Sequence, residues 1–76
     1  MFIKTVSNQL INVNWITSLR LFKSEINNKA EILARVYSNS FEQTVWYGNI
    51  DDAEYKYSKL VSYLNDNNHT VISLLD

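Results

Sequence analysis

The chain has 76 residues, no cysteine, no proline, a single glycine and a formal net charge of −1. That length makes one domain over residues 1–76, near the lower size at which packing alone holds a fold. The missing cysteines exclude disulfides and thiolate-bound zinc, and the near-neutral charge argues against nucleic acid or an anionic membrane as partner of the whole surface.

With one glycine available, asparagine must carry the turns, because it tolerates left-handed backbone angles. In chain order, residues 2–6 read as a strand, closed by a turn at Ser7-Asn8-Gln9. Residues 10–14 continue extended and bend at Asn14; residues 16–23 form the next strand. A polar loop over 24–29 centres on Asn27-Asn28. Residues 30–38 and 41–47 are rich in β-branched and aromatic side chains and join at Asn39-Ser40, the pattern of a hairpin.

Asp51 is placed to cap a helix, with Glu54 three residues on as an aspartate version of the capping box and Ile50 and Tyr55 as a hydrophobic staple. Ala53, Tyr57, Leu60, Val61 and Leu64 recur at helical spacing on one face. The run Asn65 to Asn68 ends the helix, and the β-branched tail over 70–75 reads as a further strand. The predicted fold is α+β: a small antiparallel sheet of four or five strands with one helix packed on one face, in the order β-β-β-β-α with a candidate C-terminal strand.

Hairpin parity extends this reading to the two faces of the sheet. Residues opposite each other in a hairpin share a face, and facing alternates along each strand. Even-length loops at Asn27-Asn28 and Asn39-Ser40 put Leu19, Leu21, Ile32, Ala34, Val36, Phe41, Val45 and Tyr47 against the helix. The other face then carries Phe22, Leu33 and Trp46 in one row, Arg20, Arg35 and Thr44 in the next, and Ser18, Tyr37 and Glu42 in the third. Such a face is too apolar for open solvent and too charged for a core. Two arginines nearly opposite each other also call for an anionic or aromatic group between them. Three occupants could cover it: the C-terminal tail with Val71, Ile72, Leu74 and Leu75, a second copy of the chain, or a different protein.

The stretch from Val6 to Leu19, Val-Ser-Asn-Gln-Leu-Ile-Asn-Val-Asn-Trp-Ile-Thr-Ser-Leu, followed by a hairpin and an acid-capped helix, resembles a layout common in short bacterial proteins. FlbD-type flagellar proteins and the second half of LytTR domains are similar in outline, over roughly the first 64 residues. Where such proteins carry a turn glycine, this chain has Asn8-Gln9. The resemblance implies the order of elements and brings no functional residue with it.

Little in the chain resembles reaction chemistry. His69, the only histidine, sits in an asparagine-rich turn and reads as a solvent-exposed residue. Asp51, Asp52 and Glu54 are explained by helix capping, and Gly48 by the passage from strand to helix. Asn68-His69-Thr70 matches the glycosylation pattern by chance, given no secretory run. The expectation is a non-enzyme with no catalytic residue, no metal and no cofactor, located in the cytoplasm and not in a membrane.

Charge is divided unevenly. Residues 1–50 hold Lys4, Arg20, Lys23, Lys29 and Arg35 against Glu25, Glu31 and Glu42, a net +2. Residues 51–76 hold Lys56 and Lys59 against Asp51, Asp52, Glu54, Asp66 and Asp76, a net −3. The group Phe22, Leu33, Trp46, Arg20, Arg35 and Tyr37 is therefore the candidate partner-binding surface. Arginine and aromatic side chains are the residues most enriched where proteins bind each other, so a protein partner or homo-oligomer is the leading expectation. The alternative is a single-stranded nucleic-acid-binding domain that stacks bases on the same face.

Overall fold

A computed structural model describes residues 1–37, 42–66 and 70–74. Strands β1 (Phe2–Lys4), β2 (Leu10–Asn12), β3 (Ile16–Ser24), β4 (Lys29–Val36) and β5 (Glu42–Asn49) lead into helix α1 (Ala53–Leu64) and strand β6 (Val71–Ile72). The fold is α+β with antiparallel strands and one packed helix. It departs from the expected single sheet, because the strands divide into two three-stranded sheets, ordered β2-β1-β6 and β3-β4-β5. In the smaller sheet β1 runs antiparallel to β2 and parallel to β6.

The division begins at Asn12. Its side chain accepts a hydrogen bond from the Asn14 amide at 3.0 Å, and residues Val13–Trp15 wind into a short 3-10 turn. A side chain that satisfies the backbone locally ends the strand and sends the chain off in a new direction. The bend expected at Asn14 is this turn. Asparagine also replaces glycine as anticipated: Asn8 and Asn28 adopt φ values of 70° and 58°. The first turn is secured by Thr5, a buried residue whose hydroxyl accepts from the Gln9 amide at 3.1 Å.

The helix start is built differently from the capping box expected at Asp51. Asn49 accepts from the Asp51 amide at 2.9 Å and caps a 3-10 turn over Ile50–Asp52, which runs directly into α1. No side chain caps α1 itself, and the Glu54 carboxylate pairs with Lys23 on β3 instead of closing a box. Asparagine holds the first orphan amide as well as aspartate would, and the carboxylate is left to a cation. Tyr55 of the expected staple is exposed, and Val61 lies outward; Ala53 and Leu60 are buried, with Tyr57, Tyr63 and Leu64 packed beside them.

The core lies between three walls. Ile3, Ile11, Ile72 and Leu74 come from the small sheet and the tail; Ala30, Ile32, Ala34, Val36, Val45 and Trp46 from the long sheet; Ala53 and Leu60 from the helix. The described part of the tail, residues 70–74, therefore fills the core and extends the small sheet, and does not lie on the second face of the long one; Leu75 lies outside the described residues. Asn39-Ser40, Phe41 and His69 lie outside the described residues.

Candidate functional site

The long sheet, β3-β4-β5, positions the candidate surface. Between β3 and β4 the expected facing holds, although the loop spans four residues and the pairing slides by two. Arg20 opposes Leu33 and Phe22 opposes Glu31, where Phe22 was expected to face Leu33. An even slide leaves the side chains from Ser18 to Ser24 on their expected faces, and the register then shifts between Ser18 and Ile16, which opposes Val36.

Between β4 and β5 the expectation fails part-way along. Arg35 opposes Glu42 and Leu33 opposes Thr44, as parity requires; then the register shifts, and Ile32 opposes Trp46. Val45 is the extra residue of a β-bulge, so Val45 and Trp46 both enter the core, where they are 0% and 5% exposed. Trp46 thus belongs to the core and not to the second face. Beyond the bulge parity is inverted, and Tyr47, expected inward, turns outward opposite Glu31 and is 53% exposed. The bulge lets the largest apolar side chain of the sheet be buried. Gly48 makes room for it: a β-carbon there would lie 2.6 Å from Trp46 Cζ2. That space, and not the turn into the helix, accounts for the lone glycine.

The outer face consequently reads Ser18, Arg35 and Glu42; then Arg20, Leu33 and Thr44; then Phe22, Glu31 and Tyr47. Leu33 is buried and Phe22 is 45% exposed. The anion demanded by the two arginines comes from the sheet itself. Arg20 grips Glu42 with both Nε and Nη2, at 3.1 and 2.7 Å, a forked pair across the sheet. Its guanidinium also lies 5.7 Å from the centre of the Phe22 ring. Glu42 holds Arg20 above its ordinary pKa through this hydrogen bond, and Arg20, with Arg35 adding to the field, holds the Glu42 carboxyl below its own. Glu31 accepts a long hydrogen bond from the Thr44 hydroxyl at 3.4 Å.

Tyr37 stands beyond the end of β4, 85% exposed, with its amide bonded to the Trp15 carbonyl at 2.7 Å. It lines a concavity of about 380 Å³ with Asn14, Trp15 and Thr17. Trp15, 59% exposed, also lines a neighbouring hollow of about 340 Å³ with Phe2 and Leu10. Of the expected residues, Arg20, Phe22, Leu33 and Arg35 share one face, Tyr37 sits at its end, and Trp46 is removed to the core. Tyr47 and Trp15 are exposed aromatics on or beside this sheet that sequence reading did not select. The bulge that exposes Tyr47 leaves no compositional mark; Trp15 could have been noticed as a large apolar residue inside an asparagine-marked bend.

No group of three or more histidine, cysteine, aspartate or glutamate residues is placed to hold a metal among the described residues. No helix among them is long and apolar enough to cross a membrane. Comparisons with protein-family models, with curated proteins and with solved structures find no match.

Proposed function

We propose that this protein is a non-enzymatic protein–protein interaction module that associates with itself or takes part in a larger complex. Its contact surface is the outer face of β3-β4-β5: Phe22 and Tyr47 as exposed aromatics, Leu33 as the floor, Arg20 and Arg35 as polar flanks, and Tyr37 at the end. The observation that carries the reading is this uncovered face. Two half-exposed aromatics stand beside a forked Arg20–Glu42 pair, and no described segment lies over them. Exposed aromatic and arginine side chains around a buried apolar centre are the composition of interface hot spots. Because Arg20 spends its charge on Glu42, the face is less suited to phosphate than its sequence suggests.

Solution mass tests the proposal. Light scattering over a range of concentrations is expected to give a mass above that of the single chain, and Phe22→Ser is expected to lower it with an unchanged far-ultraviolet dichroism spectrum. A native chain that stays monomeric at every concentration would contradict self-association.

A further inference from the structure

The long sheet ends on an open strand. β3 hydrogen-bonds to β4 on one side, and no backbone bond reaches its other edge among the described residues. The remaining edges are shorter or interrupted, β5 by the Val45 bulge in its middle. β2 and β6 have three and two residues, and the outer edge of β5 receives the Val6 amide at the Thr44 carbonyl, at 3.0 Å. β3 has nine residues, contains no proline, and its one lysine is drawn back to Glu54 on the helix. The register of β3 breaks at its start, between Ile16 and Ser18, and the regular edge from Ser18 to Ser24 is a template for another strand. Beside it runs a half-open apolar groove between strand and helix, lined by Val13, Ile16, Leu19, Tyr57 and Leu64.

We propose that a second copy of this chain occupies that edge, β3 against β3 and antiparallel, about a two-fold axis through Leu21. The β3-β4-β5 sheets of the two copies merge into one of six strands. The inference rests on the self-association proposed above and places its contact at the β3 border of that outer face, where Arg20 and Phe22 lie.

The sequence of the strand selects both the occupant and the register. Opposed residues in an antiparallel pair share a face, so a two-fold arrangement that keeps both cores on one side must centre on a residue. Centring on Arg20 sets that charge opposite its own copy, which is unfavourable. Centring on Phe22 pairs only the last five residues of the strand and sets Leu21 against Lys23. Centring on Leu21 pairs residues 18–24, about 23 Å of strand. Leu21 then meets Leu21 of the other copy, and each Arg20 meets the Phe22 ring across the junction, a contact of the kind Arg20 already makes with its own Phe22. Leu19, at the groove, meets the aliphatic stem of Lys23, which can cover it while its amine keeps Glu54. Centring on Leu19 would run the pairing through the broken register between Ile16 and Ser18, so the regular stretch 18–24 complements itself about Leu21, which is why a second copy fits better than an unrelated strand.

A cysteine-free chain makes the test direct. In this register Ser18 of one copy stands opposite Ser24 of the other. Opposed Cα atoms in an antiparallel pair lie about 4.5–5.5 Å apart, within reach of a disulfide. Ser18 is about 20 Å from its own symmetry mate, and so is Ser24. Chains carrying Ser18→Cys and Ser24→Cys, mixed and mildly oxidised, are expected to give a disulfide-linked dimer on a non-reducing gel, while each alone stays unlinked. Light scattering of the native chain in the same buffer is expected to give twice the chain mass. A native dimer whose mixed cysteines do not link above the level of either alone overturns the β3 edge and leaves self-association standing. A native monomer overturns both.

Discussion

The two faces of the β3-β4-β5 sheet are made of the same strands and follow opposite rules. On the inner face, Ile32, Ala34, Val45 and Trp46 are at most 5% exposed and meet the helix and the small sheet. On the outer face, among the described residues, only Leu33 is buried, and side chains pair across the strands, Arg20 with Glu42 and Thr44 with Glu31. The inner face is stabilised by removing apolar area from water, which is non-directional and large. The outer face is organised by directional contacts in solvent, which contribute little to stability but fix where side chains point. Stability and the recognition proposed for this protein thus fall on opposite sides of one sheet.

That separation can be broken from the inside most severely. Trp46→Ala removes the largest core side chain at the bulge and is expected to destabilise the fold by about 3–5 kcal/mol, measured by urea unfolding. For a domain of this size that is a large share of total stability. Gly48→Ala should follow. Its methyl would press on the Trp46 ring, and a loss of about 1–3 kcal/mol is expected in the same assay, an effect that Trp46→Leu should relieve.

On the outer face the expected effects are smaller and depend on pH. Glu42 has its folded pKa lowered by Arg20. The stability contributed by the pair is therefore present at neutral pH and lost as pH falls through the folded value, below the ordinary glutamate range. Thermal melts of the native chain and of Glu42→Gln should differ slightly at neutral pH and converge in acid. A difference that stays constant into acid would mean that the Arg20–Glu42 fork does not form in solution.

Much of the fold was legible because its signals are local. Asn8 and Asn28 announced the turns, the 3.6-residue spacing of Ala53, Tyr57, Leu60 and Leu64 announced the helix, and alternation on β3 and β4 assigned both faces correctly. What was not legible depends on distant partners. Nothing in residues 70–74 reveals that β6 lies parallel to β1, since that pairing joins the two ends of the chain. Asp51 and Asn49 are equally good caps, and only the approach of Lys23 explains why Glu54 faces outward to β3. The facing of the candidate residues was legible in part for a single reason. Parity counts residues, and one bulge residue, Val45, reverses every facing beyond it. Trp46 and Tyr47 accordingly exchanged faces, while Arg20, Phe22, Leu33 and Arg35 kept theirs.

The inward turn of Trp46 is the point on which the assignment of both faces depends, and fluorescence reads it directly. Replacing the exposed Trp15 by phenylalanine leaves Trp46 as the sole reporter. Blue-shifted emission that resists acrylamide quenching in the folded chain, and loses both properties in urea, is the expected result. Emission that is red-shifted and freely quenched under native conditions would put Trp46 on the outer face and return Tyr47 to the core.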